Sequence, residues 1–389
     1  MSEQPIVTSP LTRLRNLYRK KLRLGQDDLP VVDYIASTIA AVRLGEATEL
    51  VWSWLKGPPG VGKTEICRPA MPLDYTQAID TLTQNSLVSG LVDESGRDFS
   101  LIPELDGKLL IIKDFTAILR KDPKVLDAIM GQLRAIFDGS YTAAFGSKGL
   151  CPYTARFGII ACVTPEIDWI PSPNLNLGER FISLRIGRRL PPRNVRWKED
   201  VKMLNRSGSK AVWRLELAQE MERLLLPIQK PIKDWAPPML DPNSPETERL
   251  LSTADLVTRF RALPVKSRLS TPETPKRLLH QLHQMAGARA FLDDREDWSK
   301  EDFDLVVRVG YDSLPAEALA FLRALWKAGT ISSDDLARRT NITYERVRAI
   351  CNQYVESGLI IRRQKGTSWS LSKEAIYLLE TSRLMEAAP

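Results

Sequence analysis

Histidine is scarce in this chain, with two residues, His280 and His283, among 389. They stand at i, i+3 with no carboxylate or cysteine cluster beside them, so they read as a helix surface and not as a metal motif. The four cysteines, Cys67, Cys151, Cys162 and Cys351, lie far apart and form no C-x-x-C pair. That spacing suggests neither a zinc site nor a disulfide framework, and the cysteines read as reduced thiols. No apolar run reaches the length of a membrane span. Met1 to Pro10 is polar where a secretory signal would hold an apolar core. The expected setting is the cytoplasm, with no membrane partner.

What the chain does contain is an ordinary globular mixture, 43% hydrophobic and 26% charged, enough to bury a real core. The length suits two or three domains. A net charge of +7 hints at a polyanionic partner, and the placement of the cations matters more than their sum.

Four regions follow from the pattern. Residues 1–30 hold Arg13, Arg15, Arg19, Lys20, Lys21 and Arg23 between Leu11, Leu14, Leu17 and Leu22. This is either a basic amphipathic arm or a helix that packs its leucines on the main domain. Residues 31–192 alternate short apolar runs (Val51–Leu55, Leu109–Ile112, Phe157–Val163) with helical stretches such as Val125–Ile136. Such alternation predicts an α/β core with a parallel sheet. Residues 193–312 are mainly helical, with candidates Val212–Leu226 and Pro275–Leu292 on either side of a proline-rich connector, Pro227 to Pro245. Residues 313–389 read helix, turn, helix, turn, helix and hairpin. Pro315–Ala328 is the first helix, Ser332 or Ser333 caps the second, and Thr343 caps the third. Leu359–Arg363 and Ser368–Leu371 then pair around Lys365-Gly366.

The strongest motif is Gly57-Pro58-Pro59-Gly60-Val61-Gly62-Lys63-Thr64, a G-x-x-x-x-G-K-T spacing between an apolar run and a helical stretch. In this P-loop the glycines let backbone N–H groups turn towards phosphate oxygens. Lys63 reaches the β- and γ-phosphates, and Thr64 offers a hydroxyl to Mg²⁺. ATP and Mg²⁺ are the expected cofactors. A second strand ending in an acid is needed to hold the metal. Leu109–Phe115 supplies it, with Asp114 as the acid.

Residues 82–185 resemble the AAA+ core of the minichromosome-maintenance (MCM) helicases and their MoxR-type relatives. Leu101–Phe115 is similar to their "LADGG...IDEF" segment. In one register Lys113 replaces the metal-side Asp and Asp114 the catalytic Glu. In the other, Asp114 is the metal-side acid and Phe115 takes the Glu position. Either way one acid is missing, which puts the hydrolysis rate in question. Gly139–Gly149 falls where the family carries a hairpin projecting into a ring's pore, with Phe145 and Lys148 near its tip. An aromatic and a cation suit a backbone-tracking loop. Ile159–Pro165 resembles the family's "VIAAANP", with Thr164 in the sensor-1 position. Leu177–Phe181 resembles "SRFD", which implies that Arg180 is an arginine finger acting on a neighbouring subunit. A homo-oligomer follows from that, by analogy a hexameric ring or spiral. Thr274–Leu279 opens a helix resembling the sensor-2 helix, and Arg277 is expected at the γ-phosphate from a helical lid.

Residues 315–372 look like a winged helix. Thr343–Ser357 would be its recognition helix, with Tyr344, Arg346, Arg348 and Asn352 outward. The wing holds Arg362, Arg363, Gln364, Lys365 and Thr367, and Trp369 belongs to the wing core. Cations there suit phosphate contacts with DNA; such modules also bind protein. Three functions remain open on the sequence. One is an MCM-like helicase or replication-initiation ATPase, compatible with a phage or mobile element. Another is a DNA-dependent regulatory ATPase of transposition or defence that recruits a partner protein. The last is a MoxR-type chaperone that remodels protein complexes.

Overall fold

The computed structural model describes residues 9–46, 48–91, 93–95, 98–146, 149–169, 180–187, 197–198, 201–202, 209–264, 269–363 and 368–387. Its centre is a five-stranded sheet made from β1 (Trp52–Lys56), β2 (Thr76–Ile79), β3 (Leu109–Ile112), β6 (Gly158–Val163) and β7 (Phe181–Arg185). The strands run in the order β2-β3-β6-β1-β7, and every pairing is parallel. A separate hairpin, β4 (Tyr141–Phe145) with β5 (Gly149–Tyr153), precedes β6.

Side chains alternate across the sheet, as the two-residue strand repeat requires. Leu55, Ile111, Ile160, Cys162 and Leu184 enter one core. Trp52, Trp54, Leu110, Ile112, Ile159 and Phe181 enter the other. Against the first face pack α1 (Pro10–Leu22), α2 (Pro30–Arg43) and the short α3 (Lys63–Cys67). Against the second pack the short α4 (Phe115–Leu119) and α5 (Pro123–Phe137), whose Leu126, Ile129, Met130, Leu133 and Ile136 form an inward stripe. The second core contains an aromatic stack. Trp54 lies 4.0 Å from Phe181 and meets Phe115 edge-on at 4.7 Å, while Trp52 meets Phe137 edge-on at 4.9 Å.

The basic N-terminal segment packs on the body and does not extend from it. Leu11, Leu14 and Tyr18 are buried, and the Tyr18 hydroxyl donates to the Ile66 carbonyl at 2.9 Å. Its cations meet acids of the body: Arg13 with Glu220, Arg15 with Asp33, and Lys21 with Glu216.

The helical region holds α6 (Lys210–Leu225), α7 (Pro245–Arg261), α8 (Lys276–Leu292) and α9 (Lys300–Asp312). The proline-rich connector therefore ends where α7 begins. Ser244 caps that helix and Pro245 occupies its first turn, a position that favours proline. Helix α8 runs along α2, with Arg289 buried between Asp33 and Asp302. His283 is part-buried on α8, with its ring 5.2 Å from that of Trp298. Burial lowers its pKa. Among the described residues no cluster of His, Cys, Asp and Glu could hold a metal ion.

The C-terminal region is α10 (Ala316–Ala328), β8 (Thr330–Ser332), α11 (Ser333–Thr340), α12 (Tyr344–Glu356), β9 (Ile360–Arg363), β10 (Ser368–Leu371) and α13 (Lys373–Ser382). Its sheet has the order β8-β10-β9 and is antiparallel. Ser332 caps α11 and Thr343 caps α12, each accepting a backbone N–H three residues on. Trp369 is buried, and its indole N–H donates to Ser333 Oγ at 2.8 Å. The region is fastened to the helical part: α13 lies on α7, and the Tyr354 hydroxyl donates to the Phe260 carbonyl at 2.9 Å. No described helix is long and apolar enough to cross a membrane.

Candidate nucleotide site

The Gly57–Thr64 loop leaves the C-terminal end of β1, flanked by β6 and β7, and enters α3. Gly60 and Gly62 have φ of +79° and +91°, and a Cβ on either would meet nothing within 4 Å. Both positions thus combine the positive φ of a phosphate-cradling loop with open space where a side chain would stand. Gly57 is required for another reason, since a Cβ there would stand 2.9 Å from Ile186 Cγ1. The Lys63 ammonium donates to the carbonyls of Gly57 (2.6 Å) and Pro58 (3.0 Å), folding back onto the start of the loop. Burial lowers its pKa, and the Asp114 carboxylate acts in the opposite direction. Thr64 follows at the start of α3, part-buried.

Asp114 sits just past the end of β3 and caps α4 by accepting the Thr116 N–H at 3.0 Å. Lys113 turns the other way, towards strand β2, and pairs with Asp80 at 2.8 Å. Both registers for this segment keep Asp114 as the acid, and Lys113 is taken up by its pair with Asp80. Thr164, just past β6, is held by Thr116, a residue that sequence reasoning missed. The Thr116 hydroxyl accepts the Thr164 N–H at 3.0 Å and lies 3.4 Å from its Oγ1. Thr116 thus joins the Asp114 turn to the Thr164 turn. Its signal, a lone threonine two residues past the acid, is too common to read from sequence.

Behind the loop lies a buried charge cluster. Asp168 accepts from Lys56 Nζ at 3.0 Å and from the Arg185 guanidinium on its other side. Burial pushes the Lys56 ammonium down to about 8, against the pull of Asp168. Burial alone would raise the Asp168 pKa, but Lys56 and Arg185 hold it below the usual value. Arg185 also donates to the carbonyls of Asp312 (3.0 Å) and Leu314 (2.7 Å), where the C-terminal region begins. The Cys67 and Cys162 thiols, 95 residues apart in sequence, meet at 3.8 Å beneath α3.

The other arginines expected at this site stand elsewhere. Arg180 precedes β7, and Arg277 lines a cleft of about 600 Å³ with Thr48, Leu50, Asp106, Asp138 and Arg156. Leu50 and Arg156 precede β1 and β6, so the cleft lies at the N-terminal edge of the sheet. A five-residue strand is about 16 Å long. Arg277 therefore does not face the Gly57–Thr64 loop of its own chain, which corrects the expectation for it. The cause is Gln281, one turn along α8, whose side chain donates to the carbonyls of Leu50 (3.2 Å) and Arg180 (2.7 Å) and pins the helix to that edge. Arg277 itself lies 3.9 Å from Glu273. Arg180 pairs with Asp138 at 2.6 Å.

Phe145 is not at a free tip. It packs on the second core, and a Cβ on Gly90 would come within 2.5 Å of its ring. Lys148, Gln364, Lys365 and Thr367 lie outside the described residues. On α12, Arg346 turns inward. It pairs with Glu317 at 2.7 Å and also donates to the Pro264 carbonyl, which removes it from the outward set. Arg348, Arg362 and Arg363 are exposed. Arg362 lies 5.4 Å over the Trp369 ring and donates to Asn352, and Arg363 donates to Ser370 Oγ at 3.2 Å.

No family model matches the chain, and no curated protein matches it closely enough to be counted a relative.

Proposed function

We propose that this chain is an AAA+ ATPase that binds ATP with Mg²⁺ at Gly57–Thr64, assembles with copies of itself, and acts on DNA. The observation that carries the reading is the Gly57–Thr64 loop at the end of a strand flanked by two parallel neighbours, with positive φ at Gly60 and Gly62 and Lys63 folded back on its first carbonyls. Loop N–H groups would hold the phosphates, with Lys63 between them. Thr64 and Asp114 would hold the metal, and Thr164 would orient water. The bound nucleotide supplies the phosphoanhydride that is hydrolysed.

Arg180 and Arg277 lie on the opposite edge of the sheet, out of reach of their own loop. They would serve a neighbouring copy, which is the reason for proposing a ring or spiral. The helical region would be the lid and the C-terminal region a winged helix, with Arg348, Arg362 and Arg363 on DNA phosphates. With Lys113 paired to Asp80, Asp114 is the acid left at the end of β3. That favours a slow switch over a fast motor.

The test measures ATPase rate, oligomeric state and strand separation, with and without single- and double-stranded DNA, in wild type and Lys63→Ala. DNA-stimulated hydrolysis supports the reading, and unwinding adds helicase activity to it. DNA-dependent assembly without unwinding makes it a regulatory switch. ATPase activity with no response to either DNA overturns the DNA part and leaves a protein-remodelling chaperone.

A further inference from the structure

Arg180 is not held in readiness. Its side chain is 9% exposed against 50% for Asp138. Its Nε and Nη2 both donate to the Asp138 carboxylate, at 3.3 and 2.6 Å, and its guanidinium carbon lies 5.8 Å from the centre of the Phe137 ring. Asp138 ends α5, which it caps through its backbone N–H, so its carboxylate is not needed for that cap. Gly139 follows at φ +108°, turning the chain away and leaving the carboxylate at the mouth of the cleft that Arg277 lines.

We infer that Asp138 is a positioning residue that parks Arg180, and that the triphosphate of a neighbouring copy must displace this carboxylate before Arg180 can act. The inference rests on the reading of Arg180 as serving a neighbour's nucleotide. A guanidinium fork binds a carboxylate or a phosphate side-on, and the two compete for the same donors. Half-exposed Asp138 can return to water when it is displaced, so the exchange is reversible. A neighbour without nucleotide offers nothing to exchange for, and the finger stays parked.

The exchange happens on engagement, before chemistry. Its cost therefore falls on the ground state and the transition state alike, and shows in KM more than in kcat. A partly exposed ion pair corresponds to about a two- to fivefold change in an equilibrium constant.

The test mixes two inactive chains of the full-length protein, Lys63→Ala and Arg180→Ala, and follows ATP hydrolysis. Of the two orientations of a mixed interface, one joins the intact loop of the Arg180→Ala chain to the intact Arg180 of the Lys63→Ala chain, and the other is doubly impaired. Recovery of activity supports the reading beneath the inference; no recovery overturns that reading, and the latch with it. Given recovery, Asp138→Asn is added to the Lys63→Ala chain, which donates Arg180. The half-saturating ATP concentration should fall about two- to fivefold, with kcat changed less than about twofold. Asp138→Glu on the same chain should restore the original value. The same Asp138→Asn on the Arg180→Ala chain should change nothing. An unchanged or raised half-saturation, an effect mainly on kcat, or equal effects from either chain would each overturn the latch.

Discussion

The two edges of the central sheet hold their charges in opposite ways. At the C-terminal edge, Asp168 is 2% exposed and is clamped between Lys56 and Arg185. At the N-terminal edge, Asp138 is 50% exposed, and Arg277 has its acid, Glu273, at a loose 3.9 Å. A pair buried on both sides cannot be opened without stranding both charges in a dry interior, whereas a half-exposed acid such as Asp138 can return to water. The first edge is thus a fixed frame for the Gly57–Thr64 loop. The second holds Arg180 and Arg277 against acids that are more exposed or farther away.

The most severe way to break the comparison is to remove one cation from each edge. Lys63→Ala should abolish ATP binding and hydrolysis together. Arg180→Ala should leave ATP binding intact and slow hydrolysis about a thousandfold. Equilibrium binding of a fluorescent ATP analogue beside the ATPase rate separates the two, and loss of binding in both variants would erase the distinction between edges.

Next comes stability. Asp168→Asn should cost about 3–5 kcal/mol, because Lys56 and Arg185 are left as buried cations without their acid. Asp138→Asn should cost less, because this acid is half exposed and serves one near-buried cation where Asp168 serves two. Urea titration of the two variants gives the ratio, and equal losses would mean that the N-terminal edge is as rigid as the other.

A smaller effect appears on raising the pH. In the unfolded chain Lys56 titrates near its ordinary 10.5, and in the folded protein near 8. Between those values the unfolded chain holds the proton and the folded protein does not, so stability rises with pH across that window. Below pH 8 both forms are protonated and the gain is absent. Relative to Lys56→Met, wild type should gain on the order of 2 kcal/mol from pH 8 to 10. A flat wild-type-minus-Lys56→Met difference would refute the buried-lysine account.

The smallest expected effect lies away from both edges. Arg348→Ala should reduce the salt dependence of DNA affinity by about one phosphate contact, while Arg346→Ala should leave the slope unchanged and lower the melting temperature.

Much of the C-terminal edge was legible in the sequence because its signals are local. Leu109–Ile112 coincides with a predicted strand, as Ser368–Leu371 does in the separate C-terminal sheet, and Gly60 and Gly62 stand where the loop has positive φ. Helix α2 was missed because Val31 to Arg43 is buried on all sides, so it shows no amphipathic stripe. The N-terminal edge was not legible at all. Arg180 and Asp138 are 42 residues apart, and Gln281 reaches Leu50 across 231. Spacing says nothing about contacts of that range. The inward turn of Arg346 was hidden in the same way, since Glu317 belongs to another helix.

The aromatic stack has a mechanical consequence. Phe115 follows Asp114, Phe181 follows Arg180 and Phe137 precedes Asp138, and the first two rings both rest on Trp54. A close-packed interior hands a displacement on and does not cushion it. Trp54 is thus wedged between the residue after Asp114 and the residue after Arg180. If the proposed assembly forms, Trp54→Leu should loosen the coupling between those two turns, visible as a shallower dependence of rate on ATP concentration.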